Sequence, residues 1–142
     1  MTSFVIPNDS IESWLQTLKP YQRATIDHFM LTMSAEAAAE KWLTTIGSPN
    51  IAGFGGGTTQ DTKPYWDKFK AECRRFICDD SAYADEKKEI LSASGVSKPV
   101  LVSTMSGLIG ATLGTPGTLI APAITLVLFT IGSIGRKAYC AT

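Results

Sequence analysis

The sequence predicts an all-α protein: a small helical bundle of about four to five helices followed by, or wrapped around, a C-terminal apolar helical hairpin. Three observations predict it. Apolar residues recur at helical spacing through residues 1–98, as in Ile11, Trp14, Leu15 and Leu18. The run from Pro99 to Gly135 holds no Asp, Glu, Lys, Arg or His, although charged residues make up 18% of the chain. Thr115-Pro116-Gly117 divides that run, because proline fixes φ and glycine admits positive φ, which favours a tight reversal over a continuing helix.

The elements follow in order. Asn8 or Asp9 caps a first helix, with Glu12 three residues after Asp9, and Lys19-Pro20 closes it. Pro20 also suits the first position of a second helix running through Tyr21, Ala24, Thr25, His28, Phe29 and Leu31. Ser34 caps a third, in which Ala38, Ala39, Trp42 and Ile46 form the apolar side and Gly47 is the stop. Residues 48–62, SPNIAGFGGGTTQDT, lose all periodicity and read as a glycine-rich loop, longer than most connections in compact domains.

Lys63-Pro64 opens the most amphipathic helix, with Trp66, Phe69, Cys73, Phe76 and Ile77 on one face and charged residues opposite, where Lys68 and Glu72 are spaced to pair. Asp79-Asp80-Ser81 caps a last short helix through Tyr83, Lys87, Ile90 and Leu91, ended by Gly95. Residues 1–98 therefore form an amphipathic helical region, and residues 99–142 an apolar hairpin with a basic end.

Each arm of the hairpin is marginal as a membrane span. At 1.5 Å of rise per residue, Pro99–Gly114 would reach about 24 Å and Thr118–Gly135 about 27 Å, against a hydrocarbon core of roughly 30 Å. The first arm carries small residues on two tracks, Ser106, Gly110 and Gly114 beside Ser103, Gly107 and Ala111, a pattern that lets helix backbones approach closely. The second arm is bulkier, and Pro122 is expected in its first turn, where a missing N–H costs little. Lys87, Lys88 and Lys98 precede the hairpin and Arg136 and Lys137 follow it; by the positive-inside bias both termini are cytoplasmic and the turn crosses. The same residues suit a hairpin buried in a soluble helical core, since the run also carries many hydroxyls and the mean hydropathy of the chain is only +0.08.

Composition bounds the rest. A chain of 142 residues supports one domain. Thirteen basic residues balance thirteen acidic ones, with no basic stripe, so nucleic acid is not an expected partner. MTSFVIPNDS has neither a basic leader nor an apolar core, which predicts a cytoplasmic protein, inner-membrane associated if the hairpin inserts. Cys73, Cys78 and Cys140 are an odd number and are expected to be free thiols, mostly buried.

No catalytic, cofactor-binding or metal-binding residues are expected, and the chain does not read as an enzyme. His28 is the sole histidine, and Asp27 beside it on a helix points about 100° away. Cys73 has Arg74 and Arg75 as neighbours but lies on an apolar face with no histidine nearby in sequence. The glycine-rich loop lacks the Gly-Lys-Ser/Thr ending of a phosphate loop, so it reads as a joint or a docking loop, with Ile51, Phe54 and the helix of Trp66 as its partner contacts.

Two functions fit. One is a membrane-active or membrane-anchored protein, a pore-forming toxin or defence effector, whose hairpin meets a lipid bilayer and self-associates through its small-residue face. In outline its plan is similar to that of pore-forming bacterial toxins, a likeness of architecture alone. The other is a soluble interaction subunit that keeps the hairpin as its buried core and binds a partner protein.

Overall fold

The computed structural model describes residues 6, 8–46, 63–79, 81–87 and 97–141. It is all-α, with no strand among the described residues. Helices α1 (Ile11–Leu15), α2 (Pro20–Phe29) and α3 (Ala35–Lys41) come first, and α3 runs on into a π-helical turn at Trp42–Ile46. Then come α4 (Lys63–Cys78), α5 (Lys98–Leu113), α6 (Gly117–Ile134) and α7 (Arg136–Ala141).

Local chemistry sets the helix ends. Ser10, not Asn8 or Asp9, caps α1, its Oγ accepting from the Ser13 N–H at 3.1 Å. The Asp9 carboxylate is used elsewhere: it accepts from Ser10 N at 2.9 Å, Ser13 Oγ at 3.1 Å and Lys98 Nζ at 2.7 Å. Pro20 opens α2 and Ser34 caps α3, as their sequence positions predict. Helix α2 ends at Phe29, so Leu31 lies beyond it and is exposed. The apolar face of α4 is buried as a unit, from Trp66 to Ile77. On its other side Glu72 pairs with Arg75 at 3.2 Å and accepts from Tyr83 Oη at 2.7 Å, in place of the expected pairing with Lys68.

The hairpin is the centre that the other helices wrap. Helix α6 packs on α1, α2, α3, α5 and α7, and α4 covers α5 and α7. Ile120, Ala123, Ile124, Leu126, Leu128 and Ile131 of α6 share one core with Trp14, Trp42, Trp66, Phe69 and Phe76. Covering apolar surface stabilises such a helix in solution, and the shell buries its middle while Thr118, Ser133 and Ile134 near its ends stay exposed. The turn between the arms is tight because Gly114, at φ 76°, takes the left-handed conformation that ends α5.

Candidate functional site: the apolar hairpin and its helical shell

The arms touch backbone to backbone at the turn end. A Cβ on Gly110 would collide with the Thr115 carbonyl oxygen and lie 3.2 Å from Gly117 Cα, and one on Gly117 would lie 3.1 Å from the Ser106 carbonyl. The two small-residue tracks therefore separate. Ser106 and Gly110 are buried against the second arm, whereas Ser103, Gly107, Ala111 and Gly114 are exposed, with open space where a Gly107 side chain would be. Beside this crossing is a groove of about 380 Å³, bounded by Ser103, Ser106, Gly117 and Ala121 on the hairpin and by Leu18 and Gln22 on the shell. In the turn itself Thr115 is buried and accepts from the Tyr65 hydroxyl at 2.7 Å, while Pro116 is exposed and Gly117 starts α6. Burial pushes the Tyr65 phenol up, and its bond to Thr115 opposes that shift.

Pro122 is not in the first turn. Helix α6 starts at Gly117, so the proline falls in its second turn and leaves the Thr118 carbonyl without its N–H partner four residues on. The shell supplies a donor. Gln22 Nε2 donates to Thr118 O at 2.9 Å, and Trp42 Nε1 donates to Leu119 O at 2.6 Å. Neither residue is singled out by its own sequence context. The position of Pro122 is the one signal that a donor is needed.

Three residues of the basic flanks make contacts within the fold. Lys98 pairs with Asp9 at 2.7 Å. Lys87 is 1% exposed, and its ammonium donates to Phe76 O at 3.0 Å and Asp79 O at 2.7 Å, which satisfies carbonyls at the end of α4. Arg136 Nε donates to Ile77 O at 2.7 Å. Lys137 is exposed, and Lys88 lies outside the described residues.

The cysteines also differ from expectation. Cys78, the last residue of α4, is bonded to Cys140 of α7, with Cα atoms 5.8 Å apart; Cys73 is free and buried. Close packing of α7 on α4 brings the pair together, a proximity that a separation of 62 residues conceals. Burial pushes the Cys73 thiol up, which keeps it protonated and unreactive. Arg74 spans the same helix pair, donating to Tyr139 O at 3.3 Å with its guanidinium 5.2 Å from the Tyr139 ring. The Tyr139 phenol is pushed up to about 12, chiefly by burial.

Trp66, expected among the partner contacts, is buried. It is 1% exposed and stacked on Phe69 with ring centroids 5.6 Å apart, because it belongs to the apolar face of α4. Ile51 and Phe54, with the rest of residues 48–62, lie outside the described residues. His28 is exposed. Among the described residues no group of three or more His, Cys, Asp or Glu side chains could hold a metal ion. One described helix, α6, is long and apolar enough to cross a membrane by length and composition, with a mean hydropathy of 1.9. Comparisons with protein-family models, curated proteins and solved structures find no match to this chain.

Proposed function

We propose that the protein is a membrane-active helical protein seen in its shielded form, and that the α5–α6 hairpin inserts into a bilayer when the surrounding helices let it go. One observation carries this reading: the described helix that meets the length and apolarity of a membrane span is the helix around which the amphipathic helices are wrapped. A shell of that kind keeps an insertable segment soluble until a bilayer offers it an equivalent apolar surrounding. The outward track of Ser103, Gly107 and Ala111 then supports close association between inserted hairpins, and membrane disruption of the toxin or defence-effector type follows. In this reading the hairpin turn crosses and both chain ends stay on the side from which the protein approached. A disulfide persists in oxidising compartments and is reduced in the cytosol, so the disulfide-bonded form belongs to the oxidising side.

A second reading, a soluble interaction subunit with a permanent helical core, is favoured by the bonds from Gln22 and Trp42 to carbonyls of α6, which tie the hairpin to its shell. Flotation of the full chain with anionic liposomes, after mild destabilisation of the shell, separates the two. Recovery in the floating fraction supports insertion. Retention in the aqueous fraction under every condition, as one monodisperse species without detergent, supports the soluble subunit.

A further inference from the structure

We propose that the Cys78–Cys140 bridge is a thiol-exchange site that latches the hairpin into its shell, and that a dithiol reductant opens it; the inference rests on the reading of α5–α6 as the inserting unit. The bridge closes a covalent loop that contains all of α5 and α6. Helix α6 ends at Ile134, and residues 135–140 separate it from the bridged sulfur. Even fully extended, those residues reach roughly 20 Å. Helix α6 is about 27 Å long at 1.5 Å per residue. While the bridge holds, the C-terminal end of α6 is confined near the end of α4, and α6 cannot slide its whole length out of the shell unless α4 moves with it.

Without the bridge α7 is held by non-covalent contacts alone. Helix α7 has six residues, none fully buried although Tyr139 and Cys140 pack partly against the core, and a helix that short is not stable alone. Its ties to α4 include the Arg74 and Arg136 bonds to backbone carbonyls and the contact of Arg74 with the Tyr139 ring. Gly135, at φ 94° with open space around its Cβ position, is a ready swivel between α6 and α7.

The bridge is also reachable. Cys78 and Cys140 are both partly exposed and line an open groove of about 570 Å³ with Arg136, Lys137 and Ala141. Cationic groups beside a disulfide stabilise the departing thiolate and so speed exchange. Cys73 is fully buried and does not compete.

The exchange balances as follows. One thiolate of the dithiol attacks a bridge sulfur, the Cys78–Cys140 bond breaks, and the departing cysteine thiolate takes up a proton. The second thiol of the reductant, deprotonated, attacks the mixed disulfide, releases the other cysteine as a thiolate that is then protonated, and leaves the reductant as a cyclic disulfide. Two electrons and two protons pass from the dithiol to the bridge.

The test uses the full chain oxidised, reduced with dithiothreitol, reoxidised, and as the Cys140→Ser variant. Hydrogen exchange across residues 117–141 is read beside dye release from vesicles of phosphatidylglycerol and phosphatidylcholine. Reduction and Cys140→Ser should each raise both readouts at least about tenfold, well within what chain-entropy accounts of such a loop allow. Reoxidation should reverse the effect of reduction, and Cys73→Ser should respond to dithiothreitol as the unmodified chain does. Equal exchange in the oxidised and reduced forms overturns the latch, as does faster exchange confined to residues 136–141. Faster exchange across α6 with no dye release keeps the latch and overturns the membrane reading.

Discussion

The side-chain amide of Gln22 donates at 2.9 Å to the carbonyl oxygen of Thr118, the acceptor that Pro122 cannot serve. A helix made to stand in lipid must satisfy its own backbone, and a proline in the second turn breaks that condition. The shell therefore provides what water or a headgroup would provide elsewhere. Because Thr118 and Leu119 follow directly on the hairpin turn, both carbonyls would come to a polar interface if the turn crossed a bilayer.

Gln22→Leu removes that donor while keeping a similar volume. Thr118 is exposed, so water can replace the lost donor, and urea unfolding should show only the net loss of one hydrogen bond, about 0.5–1.5 kcal/mol. Trp42→Phe should lose about 0.5–1.5 kcal/mol with its bond to Leu119, a carbonyl whose own helical donor, Ala123 N–H, Pro122 does not remove. Unchanged midpoints in both variants would mean that the two carbonyls need no partner.

Gly110 and Gly107 make a paired test on one helix. Gly110→Ala forces a Cβ against the Thr115 carbonyl and Gly117, and overpacking of this kind costs about 1–3 kcal/mol. Gly107→Ala meets nothing and should be neutral or gain up to about 1 kcal/mol from helix propensity. Thermal melts of the two variants should move in opposite directions, or at least differ by the cost of the collision. Equal melts would remove the close crossing of the arms from the account.

Lys87 is the third case. Its buried ammonium donates to two carbonyls at the end of α4, and hydrogen bonds from a charged group contribute about 1.5–3 kcal/mol. Lys87→Met should lower stability by an amount in that range and expose the end of α4 to faster hydrogen exchange. Lys68→Met, on the exposed face of the same helix, should change stability by less than about 0.5 kcal/mol.

Asp9 sets a pH dependence. Lys98, with Ser10 and Ser13, holds its carboxyl below the usual carboxylate range. A depressed value in the fold means that stability is gained above the unfolded value, about 3.9, and lost as pH falls through the folded one. The melting temperature should therefore exceed that of Asp9→Asn at pH 6, and the gap should close below pH of about 4. Asp9 is exposed, so the gap is small. A gap that persists unchanged into strong acid would assign it to something other than the carboxylate charge.

Periodicity was enough to read α4, because Trp66, Phe69, Cys73, Phe76 and Ile77 repeat on one face and all five are buried. The hairpin bend was equally plain, since Thr115-Pro116-Gly117 leaves a helix little alternative. Local spacing could not disclose contacts made across the fold. Gln22 meets Thr118 over 96 residues and Cys78 meets Cys140 over 62, and neither partner carries a local mark of the other. Lys87 misleads for a related reason: a lysine reads as solvated until the carbonyls that receive it are placed. The cap of α1 lies one residue beyond the position its sequence suggests, since Asp9 and Ser10 are both good caps and Asp9 is paired with Lys98.

The central claim is that the hairpin leaves its shell for a bilayer, and protease protection tests it most directly. The reduced full chain is incubated with anionic liposomes, digested, and the membrane fraction analysed by mass spectrometry. The account predicts a protected fragment that contains Gly117–Ile134, with cleavage in α2 and α4. Complete digestion of Gly117–Ile134 in the presence of liposomes, or its protection to the same extent without them, would contradict it.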